Sequence, residues 1–424
     1  MKVVAASDAA ALTGLLDAGW SAPPEIVEEV AQIIAGVRAR GDAALVEYTR
    51  RFDDPHFKGS KLRVAIPQLD DARSTVPREI ATALELAKER ASRFHERQRL
   101  PDVAYVEADG TRYALERRAL ASAAIYAARG DCVAVVMGAV PAKIAGVARI
   151  VVLAPTSEGG VSPAVLFACA LCGVDELYAV GGAQAIAAAA FGTESIAPVQ
   201  KIAGRGGVRT TEAKRQVFGR CGIDALAGPV EGLIVADDGA SSEYVVGDLL
   251  ALAERQGVTR LGVLSESRSL LEAVAQLVDT LDLQTVERRE FVSKAVFEQC
   301  RLIEARTRQE LFETLNRFAP AYLCLQVRDA SAYLDRINAA GTVLVGDMTP
   351  LAGAEYLAGS SHAVPTAGTA RFASCLSPAE FTRTFSVVEN TAERATADAG
   401  PLAFLAEYDG LPHHAHSARM RCGQ

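Results

Sequence analysis

The sequence predicts an α/β protein built from two doubly wound, mostly parallel sheets, with helical arms at both ends. Three observations carry this. From about residue 130, short apolar runs alternate with segments of helical periodicity. The runs are apolar along their whole length, as strands covered on both faces should be. The alternation comes in two successive series that meet near residue 232. A chain of 424 residues, half of them apolar, is long enough for more than one domain and can bury a large core.

The elements follow in order. Residues 24–40 place Ile26, Val30, Ile33, Ile34 and Val37 at helical spacing, and Arg40-Gly41-Asp42 ends that helix and starts the next. Residues 77–98 form a second, charged helix. In the first series, strands are expected at Cys132–Met137, Ile150–Ala154, Glu176–Val180 and Lys201–Ala203, with helices at 141–147, 163–172, 183–191 and 210–219. The second series gives strands at Gly232–Ala236, Arg260–Leu264, Leu302–Glu304, Tyr322–Gln326 and Thr342–Gly346. Its helices fall at about 242–255, 268–280, 307–317 and 330–339. The C-terminal stretch is polar and helical and ends in His413-His414-Ala415-His416, and no internal repeat is visible. The expected organisation is an N-terminal arm (1–22), an outer α/β lobe (23–125 with 233–375), an inserted α/β lobe (126–232) suited to a dinucleotide, and a C-terminal helical arm (376–424).

Composition narrows the function. The net charge is -8 and no run of Lys or Arg stands out, which argues against a nucleic-acid partner. No apolar run reaches the roughly 18 to 20 residues that span a bilayer. Met1 to Trp20 carries Asp8 and Asp17 and does not read as a signal peptide, so a cytoplasmic location is expected. The eight cysteines are scattered, and Cys169 and Cys172 lie in an apolar helical stretch, so they read as reduced core thiols rather than a redox or metal pair.

One loop carries chemistry on its own. Ala203-Gly204-Arg205-Gly206-Gly207 follows a strand and precedes a helix, so its backbone N–H groups can approach a phosphate at the helix N-terminus. Without a full G-x-G-x-x-G it also reads as a plain tight turn. A second strand-to-helix turn, Val180-Gly181-Gly182-Ala183-Gln184, lies on the same side of the predicted sheet and fits a cleft at the strand ends.

A longer series of motifs is more specific. It comprises Val37-Arg-Ala-Arg-Gly-Asp-Ala-Ala-Leu45, Pro141-Ala-Lys-Ile-Ala-Gly-Val147, Val180 to Ile186, Thr211-Glu-Ala-Lys-Arg-Gln-Val217, Ile223-Asp-Ala-Leu-Ala-Gly-Pro229, Gly346-Asp347 and His362-Ala-Val-Pro-Thr366. In this order, over roughly residues 25–420, the chain resembles histidinol dehydrogenases. The resemblance implies a zinc-dependent, NAD-using homodimer that oxidises an amino alcohol through an aldehyde to a carboxylic acid. It also implies a swapped C-terminal arm that reaches the partner's active site.

The departures fall on that family's functional positions. Its two zinc ligands in D-L-L-x-Q-A-E-H become Leu252 and Arg255, the first without a lone pair and the second a permanent cation. Its Asp ligand is Glu355, and its His ligand is matched by His414. The Glu-His acid-base pair is replaced by Ala321-Tyr322, and an unperturbed tyrosine, with a pKa of about 10, is a poor base at neutral pH. A substrate-contacting Ser is Val230, and the loop after Tyr126 is shortened. On the cofactor side Tyr126 and Gln184 match, while Gly207 stands for an Asn and Arg205 is added, able to meet a phosphate or to be solvated. His362, Asp409 and His414 match the remaining pocket positions.

The expected reading is a zinc-independent dehydrogenase, linked to NAD or NADP, acting on a small polar alcohol or aldehyde other than histidinol. His362, His414, Asp409, Tyr322 and Glu355 are its candidate catalytic groups. Tyr126, Gln184, Gly204, Arg205, Gly206 and Gly207 are its candidate cofactor contacts. No metal-binding residue is assigned, and a homodimer is expected, with neither nucleic acid nor membrane as partner. A non-catalytic or non-redox paralog that binds a small ligand or a partner chain, and an ordinary histidinol dehydrogenase, are the alternatives.

Overall fold

The computed structural model describes residues 1–16, 19, 21–157, 160–228, 230–254, 260–281 and 289–421. Asp17, Trp20, Pro229 and Arg255, named above, lie outside the described residues. The chain divides into two compact units, Met1–Gln98 with Ala121–Phe381, and Arg99–Leu120 with Thr382–Gln424.

The first unit contains two parallel sheets. In the five-stranded sheet of the inserted lobe, the spatial order is Glu176–Tyr178, Arg149–Leu153, Ser122–Tyr126, Lys201–Ala203 and Gly222–Ile223. The six-stranded sheet of the outer lobe runs Val3–Ala5, Cys300–Glu304, Arg260–Ser265, Glu231–Ala236, Tyr322–Gln326 and Thr342–Val345. Numbered along the chain within each lobe, both sheets have the order 3-2-1-4-5, and Val3–Ala5 extends the outer one at its edge. This is a repeat of topology that the sequence does not display. In each sheet the order reverses beside the first strand. The reversal lies between Ser122–Tyr126 and Lys201–Ala203 in one, and between Glu231–Ala236 and Tyr322–Gln326 in the other. Such reversals open crevices at strand ends.

Several expectations need correcting. Cys132–Met137 is not a strand but the start of the helix Cys132–Ala145, and the central strand is Ser122–Tyr126. The β-branched run suggested a strand. Yet the Asp131 carboxylate accepts the Ala134 N–H at 3.0 Å and caps a helix. The helix is buried on nearly every side and so lacks an amphipathic period.

The helices Pro24–Arg40 and Asp42–Phe52 were expected in the outer lobe. Instead Val30, Ile33, Val37 and Leu45 share a core with Ala124, Leu153, Ile186 and Ile202 of the inserted lobe. The alanine-rich helix Gly182–Phe191 joins that core through small side chains that leave room for these larger ones.

Residues 1–22 were expected as a free helical arm. Val3–Ala5 pairs with Leu302–Glu304, and Leu12, Leu15 and Leu16 are buried beside Leu233 and Phe318.

The second unit is an antiparallel sheet of Val103–Val106, Arg112–Ala119 and Thr382–Glu389, with the helices Ala392–Tyr408 and Pro412–Met420. The C-terminal stretch is therefore not wholly helical. The strand Thr382–Glu389 is largely exposed, so it carries little of the apolar alternation that marks a strand. Among the described residues no helix is long and apolar enough to cross a membrane.

Candidate functional site

At the C-terminal edge of the inserted sheet, Tyr126 ends the first strand at the point of reversal. Its hydroxyl accepts the Gly182 N–H at 3.0 Å and is also hydrogen-bonded to Thr210. One phenol thus ties together the starts of the helices Gly182–Phe191 and Val208–Val217. Burial pushes the Tyr126 pKa up, partly opposed by these bonds, so the ring is a neutral strut.

Gly204 is required here. Its φ is +117°, and an added Cβ would collide with the Tyr126 carbonyl oxygen. Both backbone groups of Gly204 are held. Its N–H donates to Asp224 Oδ2 at 2.8 Å, and its carbonyl accepts from Lys214 Nζ at 3.1 Å. Lys214 also pairs with Asp224, and it is only 1% exposed. This pair was not singled out from sequence. The signal was present: a Lys inside the apolar-framed Thr211–Val217 helix and an Asp after the Gly222–Ile223 strand.

Gln184 completes this edge. It is 1% exposed, and its Nε2 has no hydrogen-bond partner among the described residues. Leaving a buried amide donor unpaired costs about 1–3 kcal/mol, so such a group is more easily explained as one that meets a ligand.

The outer lobe presents the opposite end of its strands. Tyr322 opens the strand Tyr322–Gln326 and is fully buried, its hydroxyl donating to the His362 carbonyl at 3.3 Å. The candidate catalytic role of Tyr322 gives way to a structural one, because the phenol is sealed in the core and hydrogen-bonded to backbone. Leu252, on the helix Ser242–Ala253, lies over Gly232, where an added Cβ would collide with it. The helix Leu351–Tyr356 packs into the same core through Leu351 and Ala354 and carries Glu355. Behind it Asp248 Oδ1 accepts the Leu351 N–H at 2.9 Å, and Oδ2 accepts Gln326 Nε2 at 3.0 Å. Burial raises the Asp248 pKa, partly opposed by those two bonds.

The two edges meet at Arg205 and Glu355. The Arg205 terminal nitrogens lie 3.2 and 3.5 Å from the two Glu355 oxygens, with both side chains largely buried. Arg205 was expected either to await a phosphate or to be solvated; instead it pairs with a carboxylate of the other lobe. His362, 3% exposed, lies on this outer-lobe edge. Asp409 and His414 are exposed and belong to the other compact unit. The buried Cys169 and Cys172 conform to the core reading: burial raises both thiols, Cys172 to about 12.

The fold and this edge define a class: a two-lobed α/β protein in which glycine turns at the strand ends of one lobe meet the strand starts of the other through Arg205 and Glu355. The family model for histidinol dehydrogenase matches residues 20–422. A histidinol dehydrogenase of Ruegeria pomeroyi is 39% identical over 414 residues, covering 97% of this chain and 95% of its own. One of Rhodospirillum rubrum is 37% identical over 429 residues, covering 100% and 99%. The crystal structure of histidinol dehydrogenase from Elizabethkingia anophelis superposes with a TM-score of 0.92 at 28% identity, covering 99% of this chain and 98% of its own. The chain belongs to the histidinol dehydrogenase family. These near-full-length matches overturn the expectation of a dehydrogenase for some other alcohol. They point to the activity named for the relatives.

Proposed function

We propose that this protein catalyses the NAD-linked oxidation of histidinol, the reaction for which its relatives are named. The observation that carries the reading is their 37–39% identity over almost the whole chain. The crevice of the inserted lobe fits the cofactor: Gln184 offers an unpaired buried donor, and the Gly204–Gly207 loop leads into a helix N-terminus. NAD bound there would accept a hydride from the substrate carbon. NAD is favoured over NADP because the one added cation on the loop, Arg205, is already paired with Glu355.

This chain's own groups supply the rest. Tyr126 holds the two helix starts together, and Lys214 with Asp224 holds the glycine loop. His362 sits at the strand starts that close the crevice. Asp409 and His414 match pocket positions yet lie exposed in the other compact unit. We therefore assign a homodimer in which this arm completes the partner's site. In that arrangement the His414 imidazole takes the proton released as the alcohol is oxidised, and Asp409 orients the substrate.

The zinc implied by the family does not fit these donors. Leu252 offers no lone pair, and Glu355 is engaged by a guanidinium. No step is routed through a metal. The test is direct: the purified protein with L-histidinol and NAD, read by NADH absorbance. Turnover in the ordinary enzyme range, about 1 to 1,000 per second, is expected. No NADH formation at saturating substrate would contradict the reading.

A further inference from the structure

We infer that the Arg205 guanidinium, locked onto Glu355, is a fixed cation of this cleft and that it stands where a divalent metal would otherwise be held. The inference rests on reading the cleft as the active site, and it concerns how the cleft balances its charge. Glu355 is 4% exposed, and a carboxylate that deep is stable only with a partner. Arg205 supplies one end-on, its two terminal nitrogens 3.2 and 3.5 Å from the two oxygens.

Three features make this a built arrangement. Arg205 sits between Gly204 and Gly206, and neither glycine tolerates a side chain. At Gly204 the Tyr126 carbonyl is in the way, and at Gly206 the Thr210 side chain. The loop's backbone is pinned on its far side by Lys214 and Asp224, so the arginine projects from a fixed base. On the outer lobe, Leu252 fills the space over Gly232 with carbon rather than a donor atom. A dication approaching Glu355 would meet a guanidinium, which neither deprotonates nor ligates. A guanidinium also cannot be chelated away, so the charge of the cleft is independent of metal supply. The same contact ties the dinucleotide-type loop to the outer lobe and makes Arg205 a positioning residue for both.

The test uses the full-length protein and needs no turnover. Zinc chloride alone is titrated calorimetrically into wild type and Glu355→Gln. Melting temperatures are measured for Arg205→Met, Glu355→Gln, the double variant and Arg205→Lys. We expect no zinc binding that depends on Glu355. Each single neutralisation should lower the melting temperature by on the order of 5 °C, because it removes this contact from a largely buried charge. The double variant should recover at least half of that loss, and Arg205→Lys should lose less than Arg205→Met. If Arg205→Met does not fold, Arg205→Lys and the zinc titration still decide. Zinc that binds wild type and is lost in Glu355→Gln overturns the inference, as does strict additivity of the two neutralisations. Failure to oxidise histidinol would count only against the proposed function.

Discussion

The two sheets of the larger unit share one strand order but present opposite ends to each other, and the contrast separates an edge built from backbone from one built from side chains. The inserted lobe offers the C-terminal ends of its strands. That edge is polar and open: glycine turns, two helix starts, a tyrosine strut and an unpaired glutamine amide. The outer lobe offers strand starts, and there the side chains are apolar or paired. Leu252 covers Gly232, Tyr322 bonds to backbone, and Glu355 holds Arg205. An edge that binds a cofactor through backbone tolerates change in side chains, provided the glycines and the groups that pin them stay. An edge that works through side chains is altered by a handful of substitutions.

The comparison breaks most visibly if the inserted edge loses its anchor. Lys214→Met removes the cation from a buried pair and leaves Asp224 unpaired, which should destabilise the protein by about 3–5 kcal/mol. Chemical denaturation measures this. A loss under about 1 kcal/mol would mean that the glycine loop is held by other contacts.

A smaller effect is expected on the outer edge. Leu252→Gln restores the polar residue of the resemblance but places an amide among Leu249, Tyr322 and Leu351 in an apolar core. The expected cost is about 1–3 kcal/mol, seen as a lower unfolding midpoint with unchanged slope. A variant as stable as wild type would show that the space over Gly232 is wetter than its packing indicates.

The smallest effect should come from Asp248→Asn. Burial raises the Asp248 pKa, so folding favours the protonated form. Its contribution to stability is therefore fully present below the ordinary aspartate range and is lost as pH rises through the raised value. Asparagine removes that slope. Its Oδ1 still accepts the Leu351 N–H, and its amide can meet Gln326 Oε1, which is buried without a partner among the described residues. A change at pH 7 within about 1 kcal/mol is expected, with a flatter stability profile between pH 4 and 7. An Asn variant that keeps the full wild-type slope would locate the titration elsewhere.

Much of this was legible in the sequence, for identifiable reasons. Strands such as Ile150–Leu153 and Leu233–Val235 are apolar on both faces, and the helix Pro163–Cys172 begins and ends at Pro and Gly signals, so runs and breaks revealed them. The strand Ser122–Tyr126 was missed because two alanines dilute it, while the stronger β-branched run beside it belongs to a helix buried on nearly every side. The glycine turns and Gln184 stood out because backbone chemistry leaves a local pattern. Arg205–Glu355 did not, because the two residues are 150 positions apart and their meeting depends on how the lobes fold together. Lys214–Asp224 was overlooked because a lysine on a helix usually faces solvent.

The proposed dinucleotide site is the glycine-turn edge of the inserted lobe. Calorimetric titration of NAD into wild type and Gln184→Ala tests it most directly. Wild type should bind with a Kd between roughly 1 μM and 1 mM, and Gln184→Ala should bind about tenfold more weakly, having lost one buried donor. No heat at millimolar NAD, or equal affinity in the two proteins, would contradict the claim.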